Sequence, residues 1–199
     1  IQLNHPAVTR PIRLSELLIE PRLLLNVPTQ AMDADPASAV SATTLLRTTE
    51  VTKNVSLVFG PEQSGKSTVC KYLCSTAQAE GLVPLWLSVA ALTSSNSGEV
   101  TSWINKAISA TYIGEMDVFY QTDKSERVIL LDGLERLKGG APAKIALIER
   151  CLDLAGRVIV TMSASSATEG LVLLGRGERK LPDADIYEMV SLSKQATHE

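Results

Sequence analysis

Residues 55–73 read VSLVFGPEQSGKSTVCKYL: an apolar run broken only by Ser56, a loop holding two glycines and a lysine, then an amphipathic pattern. Few stretches restrict a fold more tightly. Gly60, then Pro61, Glu62, Gln63 and Ser64, then Gly65, Lys66 and Ser67 have the spacing G-x-x-x-x-G-K-[ST], that of a phosphate-binding P-loop joining a strand to a helix. Where a glycine removes the Cβ, successive backbone N–H groups can curl around phosphate oxygens, and the following helix points the positive end of its dipole at the same anion. The flanks agree. Residues 55–59 read as a buried strand, and Val69, Tyr72, Leu73 and Ala77 recur at helical spacing.

The loop assigns chemistry residue by residue. Residues 60–68, ending on Thr68, are the expected nucleotide cradle; Lys66 reaches the β- and γ-phosphates, and the Ser67 hydroxyl is offered to Mg²⁺. Such a site needs a carboxylate facing Ser67 to hold the metal or its water. The stretch RVILLDGLER supplies one, since four apolar residues lead to Asp132 at the carboxyl end of a strand. ATP with Mg²⁺ is the expected ligand pair.

The rest of the chain reads as alternating strands and helices. Gly81 closes the helix after the loop, and LVPLWLSV is a second strand in which Pro84 points to a sheet edge. Asn96 and Glu99 have capping-box spacing ahead of a helix whose face is Val100, Trp103, Ile104, Ala107 and Ile108. Pro142 can open a later helix with Ile145, Ile148 and Leu152 on its buried face, and Gly156 is expected to close it. RVIVT is a fourth strand and residues 186–190 a fifth, while residues 171–174 fit either a strand or a helical turn. This order implies an α/β fold, a P-loop NTPase with a mostly parallel five-stranded sheet and helices on both faces. Residues 1–50 form an N-terminal extension, loosest over residues 27–44, and residues 51–199 form the core.

Composition narrows the partners. Of 199 residues 45% are apolar, enough for one substantial core, and the formal charge of -3 gives no broad basic surface for nucleic acid, although a local patch stays open. No apolar run approaches the roughly 18 residues of a membrane span, and no leader pattern is visible, so the expected location is cytoplasmic, without a membrane partner. The first residue is Ile1, which reads as a piece of a longer or processed protein. Three cysteines form no disulfide framework; Cys70 and Cys74, one turn apart, read as small buried residues rather than half a metal site. His5 and His198 suggest no catalytic role.

Together, LVFGPEQSGKST, VILLDGLER and VIVTMS resemble the Walker A, extended Walker B and sensor 1 segments of STAND ATPases of the NACHT type. Residues 5–25, HPAVTRPIRLSELLIEPRLLL, also resemble the stretch preceding the core in bacterial antiviral STAND proteins. The resemblance covers most of the chain. It implies an ATP-driven switch that binds ATP or ADP, self-associates in the full-length protein and links an effector to a sensor module, with this chain stopping before the helical lid. It also implies that Thr161, in sensor 1, contacts the nucleotide and that Glu135 orients the attacking water. Two departures stand out. The second acid expected after Asp132 and Gly133 is Arg136, leaving Glu135 alone, and Ser163 stands where the family has arginine. Hydrolysis by this chain is therefore expected to be slow, or to draw on Arg176, Arg179 or a neighbouring protomer. Two further readings stay open: a DNA-linked AAA+ type ATPase and a nucleotide-gated module without turnover. A small-molecule kinase is disfavoured by the lack of an Arg-rich lid, and a GTPase by the lack of an Asn-Lys-x-Asp string.

Overall fold

The computed structural model describes residues 21–25, 39–47, 53–163 and 184–190. Its elements in chain order are β1 (Arg22–Leu25), β2 (Val40–Ser41), β3 (Val55–Gly60), α1 (Lys66–Ala79), β4 (Val83–Ser88), α2 (Ser97–Thr111), α3 (Met116–Gln121), β5 (Arg127–Asp132), α4 (Gly140–Leu154), β6 (Arg157–Ser163) and β7 (Ala184–Met189). Among the described residues the strands form one seven-stranded sheet in the order β2-β1-β7-β3-β6-β5-β4. From β7 to β4 every pairing is parallel, and β1 adds antiparallel to β7 and β2 to β1. The expected five parallel strands are therefore joined by two antiparallel ones.

Parallel strands covered on both faces have no solvated side, so they read as continuous apolar runs. In β3 all six residues are buried, and in β6 all seven. Alternation decides which helix each side chain meets. Val55, Leu57 and Phe59 join Leu85, Leu87, Ile129, Leu131, Val158 and Val160 under α2 and α4, which contribute Val100, Ile104, Ile108, Ile145 and Ile148. On the other face Val58, Val128, Leu130 and Ile159 meet Val69, Cys70, Leu73 and Ala77 of α1.

Local chemistry sets the element ends. Gly81, just past the cap of α1, has φ +81°, a conformation glycine adopts without strain. Asn96 caps α2, its Oδ1 accepting from the Glu99 N–H at 2.8 Å; the Glu99 carboxylate accepts instead from Thr93 Oγ1 at 3.2 Å, so only half of a capping box forms. Pro84 lies on β4, the edge strand, where a missing N–H costs no ladder bond. Gly156 serves differently from expectation. The helix before it is capped at Ala155, and a Cβ on Gly156 would come within 2.8 Å of Ser125 Cα and 2.9 Å of the Lys124 carbonyl, so close backbone approach requires the glycine.

Core side chains also come from ahead of Val51. Leu23, Ala42 and Leu45 are fully buried in the layer that holds α1, and the Arg157 guanidinium donates to the Leu45 carbonyl at 2.8 Å. Within the expected loose segment 27–44, Val40–Ser41 is a strand and the turn Ala42–Leu46 packs against the sheet. The strand-or-turn stretch at 171–174, both histidines, and Arg176 and Arg179 lie outside the described residues. No helix among the described residues is long and apolar enough to cross a membrane.

If β1 is part of the same cooperative core, Leu23→Ala lowers unfolding stability by about 2–5 kcal/mol, read as a shift in the urea midpoint at constant slope. A loss below about 0.5 kcal/mol would mean that β1 adds nothing to the core.

Candidate functional site

β3 runs out of buried positions at Gly60, and the chain turns directly into α1 through Pro61–Gly65. A Cβ on Gly60 would lie 2.7 Å from Ser64 Oγ and 3.3 Å from Met189 Cβ, so the loop folds closely over this position and a larger residue would push those side chains aside. Gln63 has φ +62° and Gly65 φ +89°, both left-handed. Gly65 is the N-cap of α1 and gives it no side-chain cap, so the first-turn N–H groups have no hydroxyl or carboxylate folded over them. Lys66 folds back, donating from Nζ to the Gly60 carbonyl at 3.0 Å and the Pro61 carbonyl at 2.6 Å. The ammonium is thus tethered to the rim of the loop it follows.

The opposite wall belongs to β5. Because β6 lies between β3 and β5, Thr161 sits beside Asp132, and its hydroxyl donates to Asp132 Oδ1 at 2.9 Å while accepting from the Gly133 N–H at 3.1 Å. With Thr161 only 1% exposed and Asp132 7% exposed, these bonds fix the carboxylate's direction in a largely dry setting. Gly133 has φ +76° and starts the short turn Leu134–Arg136, in which Leu134 is buried as an anchor. That turn presents Glu135, whose Oε2 accepts from the Ser163 N–H at 3.2 Å.

A cleft of about 640 Å³ lies between the walls, lined by Glu62, Gln63, Ser64, Gly65, Lys66 and Ser67 on one side and Ser88, Asp132, Gly133, Glu135 and Arg136 on the other. The fold therefore brings together Lys66, Ser67, Asp132 and Glu135. Gly60 and Pro61 serve the cleft through the carbonyls that hold Lys66. Half-buried Thr68 does not line it, and Thr161 supports Asp132 from beneath. Sequence reasoning assigned no role here to Ser88 or to the Arg136 side chain. Strand register is the signal that finds Ser88, which pairs with Asp132 across β4 and β5; in the sequence Arg136 stands only as a missing acid.

The cysteines behave as core residues. Burial, with the Asp132 carboxylate and Cys74 nearby, pushes the Cys70 thiol up, and burial takes Cys74 to about 12. Both stay protonated at neutral pH, and a protonated thiol is a poor metal ligand. Among the described residues no group of three or more His, Cys, Asp or Glu side chains converges on a metal position. A lone Mg²⁺ would be held here by Ser67, Asp132 and water or phosphate oxygens, a hard-oxygen set that suits it. The Gly60 and Gly65 backbone, the uncapped first turn of α1 and the Lys66 ammonium fit a polyphosphate.

No family model matches this chain, and no curated protein matches it. Among solved structures, the flagellar accessory protein FlaH from Methanocaldococcus jannaschii is similar over 56% of this chain and 62% of its own, at 17% identity and a TM-score of 0.32. The HORMA:CdnC:Trip13 complex of E. coli MS115-1 contains a chain similar over 58% of this one and 43% of its own, at 17% identity and a TM-score of 0.33. In both, the match spans less than two thirds of the neighbour's length, and likenesses this low carry no argument about function.

Proposed function

We propose that this chain is the ATP-binding and ATP-hydrolysing core of a P-loop NTPase, and that it works as a nucleotide-dependent switch of the STAND type. One observation carries the reading. A glycine-shaped loop with Lys66 and Ser67, and a buried aspartate oriented by Thr161, line the same cleft at the carboxyl ends of two parallel strands, β3 and β5, that flank β6. Crevices outside the carboxyl ends of such strands are where α/β sheets bind ligands.

The residues divide the work by their chemistry. The loop N–H groups and the α1 terminus hold phosphate oxygens, and Lys66 exchanges its two carbonyl partners for the β- and γ-phosphates. Ser67 and Asp132 would hold Mg²⁺, which supplies charge neutralisation on the phosphate oxygens when bound. Thr161 keeps the Asp132 carboxylate aimed. Glu135, held at one oxygen by the Ser163 N–H, is placed to orient water for in-line attack with the other. The chain's share of catalysis is thus positioning and electrostatics, as phosphoryl transfer requires. In the switch reading, nucleotide state governs self-association and the coupling of effector and sensor modules in a longer protein. The support for that finer statement is the motif resemblance and its order along the chain.

Lys66→Ala should abolish measurable Mg²⁺-ATP binding in titration calorimetry while leaving the circular dichroism spectrum unchanged; equal affinity in wild type and variant would remove the assignment. Glu135→Gln should retain ATP affinity within about twofold and slow single-turnover hydrolysis about 10²–10⁴-fold. Unchanged hydrolysis would move the water-orienting role away from Glu135.

A further inference from the structure

Resting on the ATP-site reading above, we propose that Arg136 is the γ-phosphate-recognising cation of this site, acting from within the same chain. Arg136 lines the cleft together with Lys66, Ser67, Asp132 and Glu135. It closes the short turn that begins at Gly133, and its stem lies back over that glycine, with Cδ 3.6 Å and Nε 3.7 Å from where a Cβ on Gly133 would stand. The turn thereby keeps the guanidinium by the Asp132 wall.

Its bonding sets it apart. Arg22 donates to the Ala39 carbonyl, Arg157 to that of Leu45, and Arg127 to those of Tyr120, Thr122 and Leu154, so these three serve as backbone staples. Arg136 is exposed, and while its backbone N–H closes the turn onto the Gly133 carbonyl at 3.0 Å, its guanidinium makes no hydrogen bond or ion pair among the described residues. Its neighbour Glu135 is instead turned to the Ser163 N–H. A planar fork of donors left without an acceptor, in a cleft built for phosphate, suits bidentate contact with phosphate oxygens.

Topology says which phosphate. Lys66 follows β3 and Arg136 follows β5, with β6 between, so the two cations approach from walls about two strand spacings, roughly 10 Å, apart. A phosphate chain that enters at the loop and ends beside Asp132 brings its last phosphoryl group to the Arg136 side. ADP lacks that group, so Arg136 discriminates between the two nucleotides. It also occupies the position at which the sequence pattern calls for a second acid, which makes the wall beside Asp132 more positive and more receptive to the terminal phosphate.

The test is calorimetric titration of wild type, Arg136→Ala and Arg136→Lys with ATP and with ADP, each with Mg²⁺, after thermal melts establish that all are folded. Wild type should prefer ATP. Arg136→Ala should lose about 10–100-fold in ATP affinity with ADP affinity unchanged, and Arg136→Lys, which keeps the charge but not the fork, should fall between. If Arg136→Ala is unfolded at the assay temperature, Arg136→Gln, which keeps most of the stem, carries the same comparison. Equal losses for ATP and ADP, an unchanged ratio, or a wild type that does not prefer ATP would overturn the proposal and leave the ATP site standing. A folded wild type that binds neither nucleotide would remove the ATP-site reading and this inference with it.

Discussion

The arrangement depends on the burial of β3. Parallel partners flank it on both edges, helices cover both faces, and no residue along it reaches solvent. A side chain on the strand, the fully buried Ser56 included, cannot reach a solvated ligand, so ligand chemistry is displaced to the point where the strand ends. There the backbone itself supplies the donors: glycines at 60 and 65 allow the close approach and the left-handed turn, and α1 begins without a side-chain cap. An apolar strand and a polar loop are two consequences of one constraint.

A second constraint sets the other wall. With β6 between β3 and β5, the loop and Asp132 stand apart, and the space between them is the cleft. The Thr161 hydroxyl then binds the end of β6 to the end of β5 by accepting from Gly133 and donating to Asp132. The Glu135 bond to the Ser163 N–H repeats the connection one turn further on. A change in the position of β6 relative to β5 would therefore be felt by both acids together, as the switch proposed above requires.

Much of this was legible in the sequence because burial and composition coincide. Residues 128–131 and 158–160 are apolar throughout and residues 55–59 are broken only by Ser56, as strands buried on both faces must largely be, and the loop carries a phosphate-binding pattern in its spacing. β1 and β2 were not legible. In the four residues RLLL, Leu23, Leu24 and Leu25 pair with β7, more than a hundred positions further along, and a strand this short has no periodicity of its own. Gly156 reads in sequence as a helix terminator because a glycine after a helix fits that role equally well; the close Lys124–Ser125 backbone exists only in three dimensions. Thr161 and Ser88 belong to the same class, since what they do follows from which strands are neighbours. Arg136 shows a different limit. As a letter it is only the absence of an expected acid, and its place in the cleft becomes visible once the turn at Gly133 is formed.

The central claim is that one nucleotide occupies the space between the β3 loop and the β5–β6 wall. Its most direct measurement is the amide NMR spectrum of the isotopically labelled chain, titrated with ATP and Mg²⁺. The account predicts that the largest shifts cluster on the loop and first turn of α1 at residues 60–68 and on Asp132, Gly133, Glu135 and Ser163, with α2 little affected. Shifts confined to the loop, or centred on another face of the sheet, would contradict it.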